Sequence, residues 1–244
     1  MVQLLLTRSP EQNTKLASDL ARPDIATYNV PLLAAAPLST SPQAEALLMD
    51  LDQYDKIIFI SKNAVIYGLP VLEQYWPQWP SHLEWLAVGP ATSALLEDQD
   101  LSPVYPEQAS SEGLLAMHVL TDEIAESNVL IVRGVGGRET LKEGLVARGA
   151  KVTYLEVYER VLVPHEASRF PDGAEVIALL YSGEAIQRLQ ELIGAAAKNY
   201  MLIVPSKRLQ VLAIDCGFDK VEVARNQEDQ SMLEVVTRSL EQYL

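Results

Sequence analysis

Short, continuous apolar runs alternate with helix-length segments along the whole chain, and this alternation constrains the fold more than any other feature. A run that is apolar at every position does not suit a sheet with one wet face, where side chains alternate between core and water. It suits a parallel strand covered by helices on both faces. Residues 129–160 show the unit most fully. Val129 to Val132 are apolar, and Arg133, Gly134, Val135, Gly136, Gly137, Arg138 and Glu139 form a turn. A helix-like segment then runs to Arg148, Gly149 stops it, and a second extended run over 151–157 ends in Tyr158, Glu159 and Arg160. The expectation is strand, glycine turn with two arginines, helix, strand, and a tyrosine at the strand's exit. Open α/β sheets bind their ligands at the carboxyl ends of strands, where these polar groups fall.

The same reading places strands at 2–6, 26–33, 56–60, 85–88, 175–180, 201–204 and 221–224. Helices are expected from Ser9-Pro10, over 44–51 and 64–72, from Gly89-Pro90-Ala91-Thr92, and over 114–120, 185–193, 209–216 and 231–240. Proline suits the first helical turn and serine the position before it; Ser111 is the expected N-cap of the 114–120 helix. Residues 34–42 are small and proline-bearing and are read as a crossover between domains, with a return at 161–164.

A permuted repeat runs through this series. When 57–65 is set against 178–186, Ser61 falls on Ser182. When 86–96 is set against 201–211, Pro90 falls on Pro205. The third match reverses chain order: 130–133 resembles 5–8, and Val157 then matches Val30. Two similar parallel-sheet α/β domains are implied, one inserted into the other, with an outer domain of 1–35 plus 164–244 and an inserted domain of 36–163. A cleft between them, hinged at the crossovers, is the expected site.

Charge and composition exclude several classes of function. Lys and Arg total 19 against 33 Asp and Glu, a net charge of −14, whereas nucleic-acid binding needs a concentrated basic surface. Cys216 is the only cysteine, so neither an intrachain disulfide nor a cysteine-based zinc site is available. No apolar run approaches the ~20 residues that span a bilayer, and residues 1–10 lack the charged start and cleavage pattern of a signal peptide. A cytoplasmic protein is expected. His82, His118 and His165 are scattered and show no metal-ligand spacing, and there is no G-x-S-x-G elbow. Gly134-Val135-Gly136 opens like a dinucleotide fingerprint, but Glu139 stands where the third glycine belongs.

Lys62, Arg133, Arg138, Arg160, Lys207 and Arg208 collect at predicted strand ends and helix starts, as do Ser61, Thr92, Ser111, Ser182 and Ser206. Helix N-termini present unpaired backbone N–H groups and a positive dipole end, so several of them suit a polycarboxylate ligand despite the net negative charge. A single arginine at such a position reads as a surface ion pair of small energetic value; only the clustering brings a binding site level with that reading.

The motifs RGxGGRE at 133–139, GAxVxxxxVYxR at 149–160, SxNAV at 61–65, AVGPxT at 87–92 and SEGLL at 111–115 together resemble the uroporphyrinogen-III synthase family over essentially the whole chain. The resemblance implies two α/β domains joined by a flexible two-stranded linker. It also implies a monomeric lyase without metal or organic cofactor that dehydrates and cyclises hydroxymethylbilane to uroporphyrinogen III, inverting ring D through a spiro intermediate. Hydroxymethylbilane synthase is then a candidate transient partner. Tyr158 becomes the candidate proton donor. The candidate substrate-binding residues are Arg8, Ser61, Lys62, Asn63, Pro90, Thr92, Ser111, Glu112, Gly113, Arg133, Gly136, Arg138, Ser182, Gly183 and Ser206. The outer-domain turn departs from the family's Gly-Pro-x-Thr and reads Val204-Pro205-Ser206-Lys207, which leaves Ser206 to supply the hydroxyl. The competing reading is a non-catalytic two-lobed binding protein for an anionic metabolite.

Overall fold

The structure, a computed structural model, describes residues 2–20, 22–121, 124–166, 169–171 and 176–241. The chain divides into two compact units, one of Met1–Ala34 with Val161–Leu244 and the other of Ala35–Arg160.

In the first unit the chain forms β1 (Val2–Leu6), α1 (Pro10–Asp19) and β2 (Ile25–Asn29). It returns later as β8 (Val176–Leu179), α7 (Gly183–Ile193), β9 (Tyr200–Val204), α8 (Lys207–Asp215), β10 (Lys220–Val223) and α9 (Asp229–Glu241). The second unit carries α2 (Pro42–Met49), β4 (Lys56–Phe59), α3 (Lys62–Tyr75), β5 (Glu84–Ala87), α4 (Pro90–Glu97), α5 (Ser111–Ala116), β6 (Asn128–Gly134) and α6 (Thr140–Ala147). Two strands carry the chain across the boundary between the units: β3 (Leu33–Pro37) and β7 (Lys151–Leu162).

The sheet orders are β10-β9-β8-β1-β2 and β3-β7-β6-β4-β5. Pairing is parallel throughout the first sheet and over β7, β6, β4 and β5 of the second. If each half is counted from β8 and from β4, both sheets run third, second, first, fourth, fifth. The third place in the second unit is filled only by Val104, which bridges in parallel to Leu86. In this doubly wound order the chain leaves the first strand in one direction and the fourth in the other. Between them lies the switch point where such folds bind ligands. It falls between β4 and β6 in one unit and between β8 and β1 in the other.

Parallel strands buried on both faces account for the apolar runs. Leu130 and Val132 of β6 pack with α3 on one face, while Val129 and Ile131 pack with α5 and α6 on the other. In β1, Leu5 faces α7 and α8, and Leu4 and Leu6 face α1 and α9. Each such side chain contributes ~1.5–3 kcal/mol by leaving water, so the sheet faces outweigh any single helix cap at ~1 kcal/mol.

Several expected elements differ. The strand read over 26–33 is two strands, β2 and β3, interrupted at Val30-Pro31-Leu32. Pro31 has no N–H to donate, and the chain exchanges β1 for β7 as its neighbour there. The chain does pass between the units within the 34–42 stretch, but over residues 34–37 it does so as strand. The β7 strand does not end at Tyr158 but continues to Leu162. The Leu38 N–H donates to the Val157 carbonyl (3.0 Å) and the Val163 N–H to the Leu32 carbonyl (3.0 Å), so β3 runs antiparallel to it. Ser110, not Ser111, caps α5, its Oγ accepting from the Gly113 N–H at 2.9 Å. The helix begins earlier than the apolar pattern suggests and stops at Ala116. Ser61 and Ser182 are equivalent N-caps, accepting from Ala64 and Ala185 at 3.0 and 3.2 Å. The Pro90–Pro205 match is displaced: Pro90 opens α4 behind Gly89, whereas Pro205 precedes the capping Ser206, so cap for cap Pro90 corresponds to Lys207. Glu175, expected to open β8, lies outside the described residues.

Candidate functional site

At the switch point of the second unit, Ser61 follows β4, the glycine turn follows β6, and Tyr158 stands on β7 beside that turn. Register between β6 and β7 slips there: Arg133 pairs with Glu156 but Gly134 with Tyr158, so Val157 is an extra residue. Side chains of a regular strand alternate in face, but a bulge of this kind re-aims one of them. Val157 and Tyr158 consequently both pack toward the α3 side, although they are neighbours in sequence. The ring of Tyr158 lies directly on Gly134, where a Cβ would come within 2.5 Å of Cε2 and Cζ. Tyr67 flanks it with ring centroids 5.8 Å apart and is itself fixed by a 2.9 Å hydrogen bond from its hydroxyl to the Ala35 carbonyl. Tyr158 Oη lies 3.1 Å from Ser61 Oγ.

The glycine turn is organised by Arg133, whose side chain is 3% exposed. Its Nε donates to the Gly134 carbonyl (3.2 Å), Nη1 to Glu139 Oε1 (3.1 Å), and Nη2 to the Gly136 carbonyl. The guanidinium stacks 4.3 Å from the centre of the Tyr154 ring, and Tyr154 Oη donates to Glu139 Oε2 at 2.8 Å. Gly136 and Gly137 adopt φ of 73° and 98°, which glycine enters without a Cβ penalty. The turn thus directs carbonyls onto its own arginine, the reverse of a dinucleotide loop that aims amides at a pyrophosphate. Burial and the Glu139 hydrogen bond push the Tyr154 phenol up to about 12, with Arg133 opposing. The Tyr154 hydrogen bond, then that of Arg133, holds Glu139 below the usual carboxylate range.

The other candidates lie as follows. Lys62 and Asn63 are the first two residues of α3, and Gly183 is the first of α7 behind Ser182. Pro90 opens α4 and Thr92 is buried in its first turn, one strand out from the switch point. Ser111, Glu112 and Gly113 form the first turn of α5, and Glu112 takes a 3.1 Å ion pair from Arg138, which is 70% exposed. Hydrogen bonding to its own backbone amide, and then the Arg138 charge, holds the Glu112 carboxyl low. At the other unit's switch point Arg8 follows β1, pairs with Asp229 at 2.7 Å and stacks 4.5 Å over the Tyr181 ring. Burial pushes the Tyr181 phenol up to about 12, with Arg8 acting against it. Ser206 caps α8.

The structure therefore brings Ser61, Gly134 and Tyr158 together, joins Arg138 to Glu112, and turns Arg133 inward. Tyr67, Tyr154, Glu139 and Tyr181 also belong to these clusters, although none was among the candidate site residues. Tyr154 carried a signal, standing four residues before Tyr158 on one strand; Tyr181 carried only its place beside a capping serine. A groove of about 670 Å³ lies along α1 and α9 between Lys15, Asp19, Leu233 and Arg238, and of these groups it touches Asp229 alone.

A family model described as uroporphyrinogen-III synthase HemD matches residues 14–234. The chain belongs to the uroporphyrinogen-III synthase family. The uroporphyrinogen-III synthase of Escherichia coli (strain K12) is 30% identical over 243 residues, covering 95% of this chain and 98% of that relative. The Salmonella typhimurium enzyme is equally similar, at 30% over 243 residues with the same coverage. The fold is also that of the uroporphyrinogen-III synthetase from Helicobacter pylori 26695, with TM-score 0.63, 16% identity, and coverage of 98% of this chain and 99% of that one. A mutant synthase from the extremely thermophilic bacterium Thermus thermophilus gives TM-score 0.57 at 16% identity, covering 99% of this chain and all of that one. The uroporphyrinogen-III synthase family consists of cyclising lyases of tetrapyrrole biosynthesis, so the clusters above belong to an enzyme of that class. Among the described residues no helix is long and apolar enough to cross a membrane.

Proposed function

We propose that this chain converts hydroxymethylbilane into uroporphyrinogen III and that Tyr158 is its proton donor. The observation that carries the assignment is the 3.1 Å approach of Tyr158 Oη to Ser61 Oγ at the switch point beside α3. Ser61 Oγ already accepts the Ala64 N–H, so its own hydrogen is available to Tyr158 Oη. The phenol proton is then left to point at a ligand. A phenol keeps its proton at neutral pH and can pass it to the terminal hydroxyl as the C–O bond breaks and water leaves. The adjoining pyrrole nitrogen supplies the electron pair, giving an electrophilic azafulvene. Ser61 and the positive end of the α3 dipole stabilise the phenolate while it lasts. The last pyrrole attacks through its substituted carbon, the spiro intermediate fragments and recloses inverted, and the proton then lost from a ring carbon restores Tyr158.

Pyrroles are electron-rich and close unassisted to the uninverted isomer, so the protein's larger task is to hold one conformer and exclude the other closure. Carboxylate arms are held by the N-terminal amides of α3 at Lys62 and Asn63. Pro90 has no N–H and only opens α4; the other donors are the Thr92 hydroxyl, the Ser111 amide at the start of α5 and the exposed Arg138. In the first unit Arg8 and the amides behind Ser182, Gly183 and Ser206 serve the same purpose. Amides in a helix's first turn have no partner within the helix, which supports these choices. The protein works as a cytoplasmic monomer, receiving its substrate through transient contact with hydroxymethylbilane synthase.

The test is to supply fresh hydroxymethylbilane and separate the cyclised isomers after oxidation. Isomer III with protein against isomer I without it supports the activity, and Tyr158→Phe should lower turnover ~10²-fold. Only isomer I from folded protein would instead indicate the non-catalytic binding protein. Undiminished turnover by Tyr158→Phe would make Tyr158 a packing residue.

A further inference from the structure

We infer that Arg133, Glu139 and Tyr154 form a positioning network that sets the hydroxyl of Tyr158 by fixing the seat on which its ring rests. The inference rests on the reading of Tyr158 as proton donor. A glycine-rich turn with two residues at positive φ has many conformations open to it, and ordering it costs backbone entropy. Something must select one. Here a single buried guanidinium holds the carbonyls on both sides of Val135, those of Gly134 and Gly136, and reaches the end of the turn through Glu139. Glu139 in turn is held by Tyr154 Oη, whose ring closes the other side of the guanidinium. Lys142 Nζ lies 4.5 Å from the centre of the same ring.

Tyr158 depends on this turn at two points. The Val135 N–H donates to the Tyr158 carbonyl at 2.9 Å, and the Gly134 Cα lies beneath the phenol ring. A shift of the Gly134–Gly136 segment therefore moves the phenol relative to Ser61, which belongs to another loop and is fixed independently by its cap on α3. Arg133 thus acts on Tyr158 through the turn, and with its nitrogens bonded inside the protein it is not a carboxylate donor. The raised Tyr154 phenol fits this role, since it stays a donor to Glu139 throughout the neutral range.

The experiment is a double-mutant cycle in the full chain, with kcat and KM measured on hydroxymethylbilane and folding checked by circular dichroism. Glu139→Gln keeps the shape but offers one acceptor where two donors converge. It should lower kcat ~10-fold with KM little changed, because an ångström-scale misplacement of a reacting group costs up to ~10²-fold. In a Tyr158→Phe background the same change should have no further effect on kcat. Tyr154→Phe removes only the hydroxyl that donates to Glu139 and should behave likewise with a smaller loss; it carries the test if Glu139→Gln does not fold. Equal losses in both backgrounds, or no loss with Tyr158 present, would overturn the network while leaving Tyr158 as donor. Full activity of Tyr158→Phe alone would overturn the donor reading and this inference with it.

Discussion

Gly134→Ala separates packing from chemistry at Tyr158 with a single methyl group. Gly134 lies in β6 outside the left-handed region, so alanine meets no backbone penalty there. Its Cβ would instead stand 2.5 Å from Tyr158 Cε2 and Cζ and 3.0 Å from Cδ2. Comfortable carbon contacts begin near ~3.5 Å, so the ring must retreat by about 1 Å. From a starting separation of 3.1 Å, a retreat of that size places Tyr158 Oη beyond hydrogen-bonding reach of Ser61. Overpacking of this kind costs ~1–3 kcal/mol of stability, while misplacing the donor lowers kcat by up to ~10²-fold. The assay is initial-rate formation of isomer III beside a thermal melt. Because the unassisted route persists, the fraction of isomer I should rise as the enzymatic rate falls. A variant that melts lower but keeps kcat and isomer ratio would refute the reasoning, since the ring would have moved without chemical consequence.

Three further outcomes are expected. Gly217 has φ of 91° with open space around its Cα, so Gly217→Ala should lower stability by ~1–2 kcal/mol through backbone strain alone, read from urea unfolding with kcat unchanged. Ser61→Ala and Ser182→Ala each remove a helix cap and should each cost ~1 kcal/mol, but only Ser61→Ala should also lower kcat, through the lost contact with Tyr158. Tyr154 and Tyr181 titrate near 12 in the folded protein against 10.0 as ordinary phenols. A raised acid favours the protonated fold, so their contribution is complete below pH ~10 and is lost as pH rises from there toward ~12. Unfolding curves across that window should weaken for the parent and weaken less for Tyr181→Phe.

The sequence alone determined what depends on neighbours along the chain. Continuous apolar runs set parallel strands, serine-led starts set helix caps at Ser9, Ser61, Ser182 and Ser206, and Gly149 and Gly217 set helix stops at positive φ. The permuted repeat was legible because equivalent strands and caps preserve the same local chemistry, as Ser61 and Ser182 do. The resemblance carried by the turn motifs named the family. Only tertiary structure decided the rest. Pro31 divided an apparent single strand because the chain changes neighbours there, and β7 ran past Tyr158 because β3 was present to pair with it. Tyr158 reached Ser61 because one extra residue in β7 reversed its face. Arg133, which by pattern looked like a ligand-binding cation, turned inward because the carbonyls of its own turn and Glu139 converge on it. Register, face and partner are relations between distant segments. A one-residue slip leaves the amino acids unchanged and moves a side chain to the opposite side of the sheet.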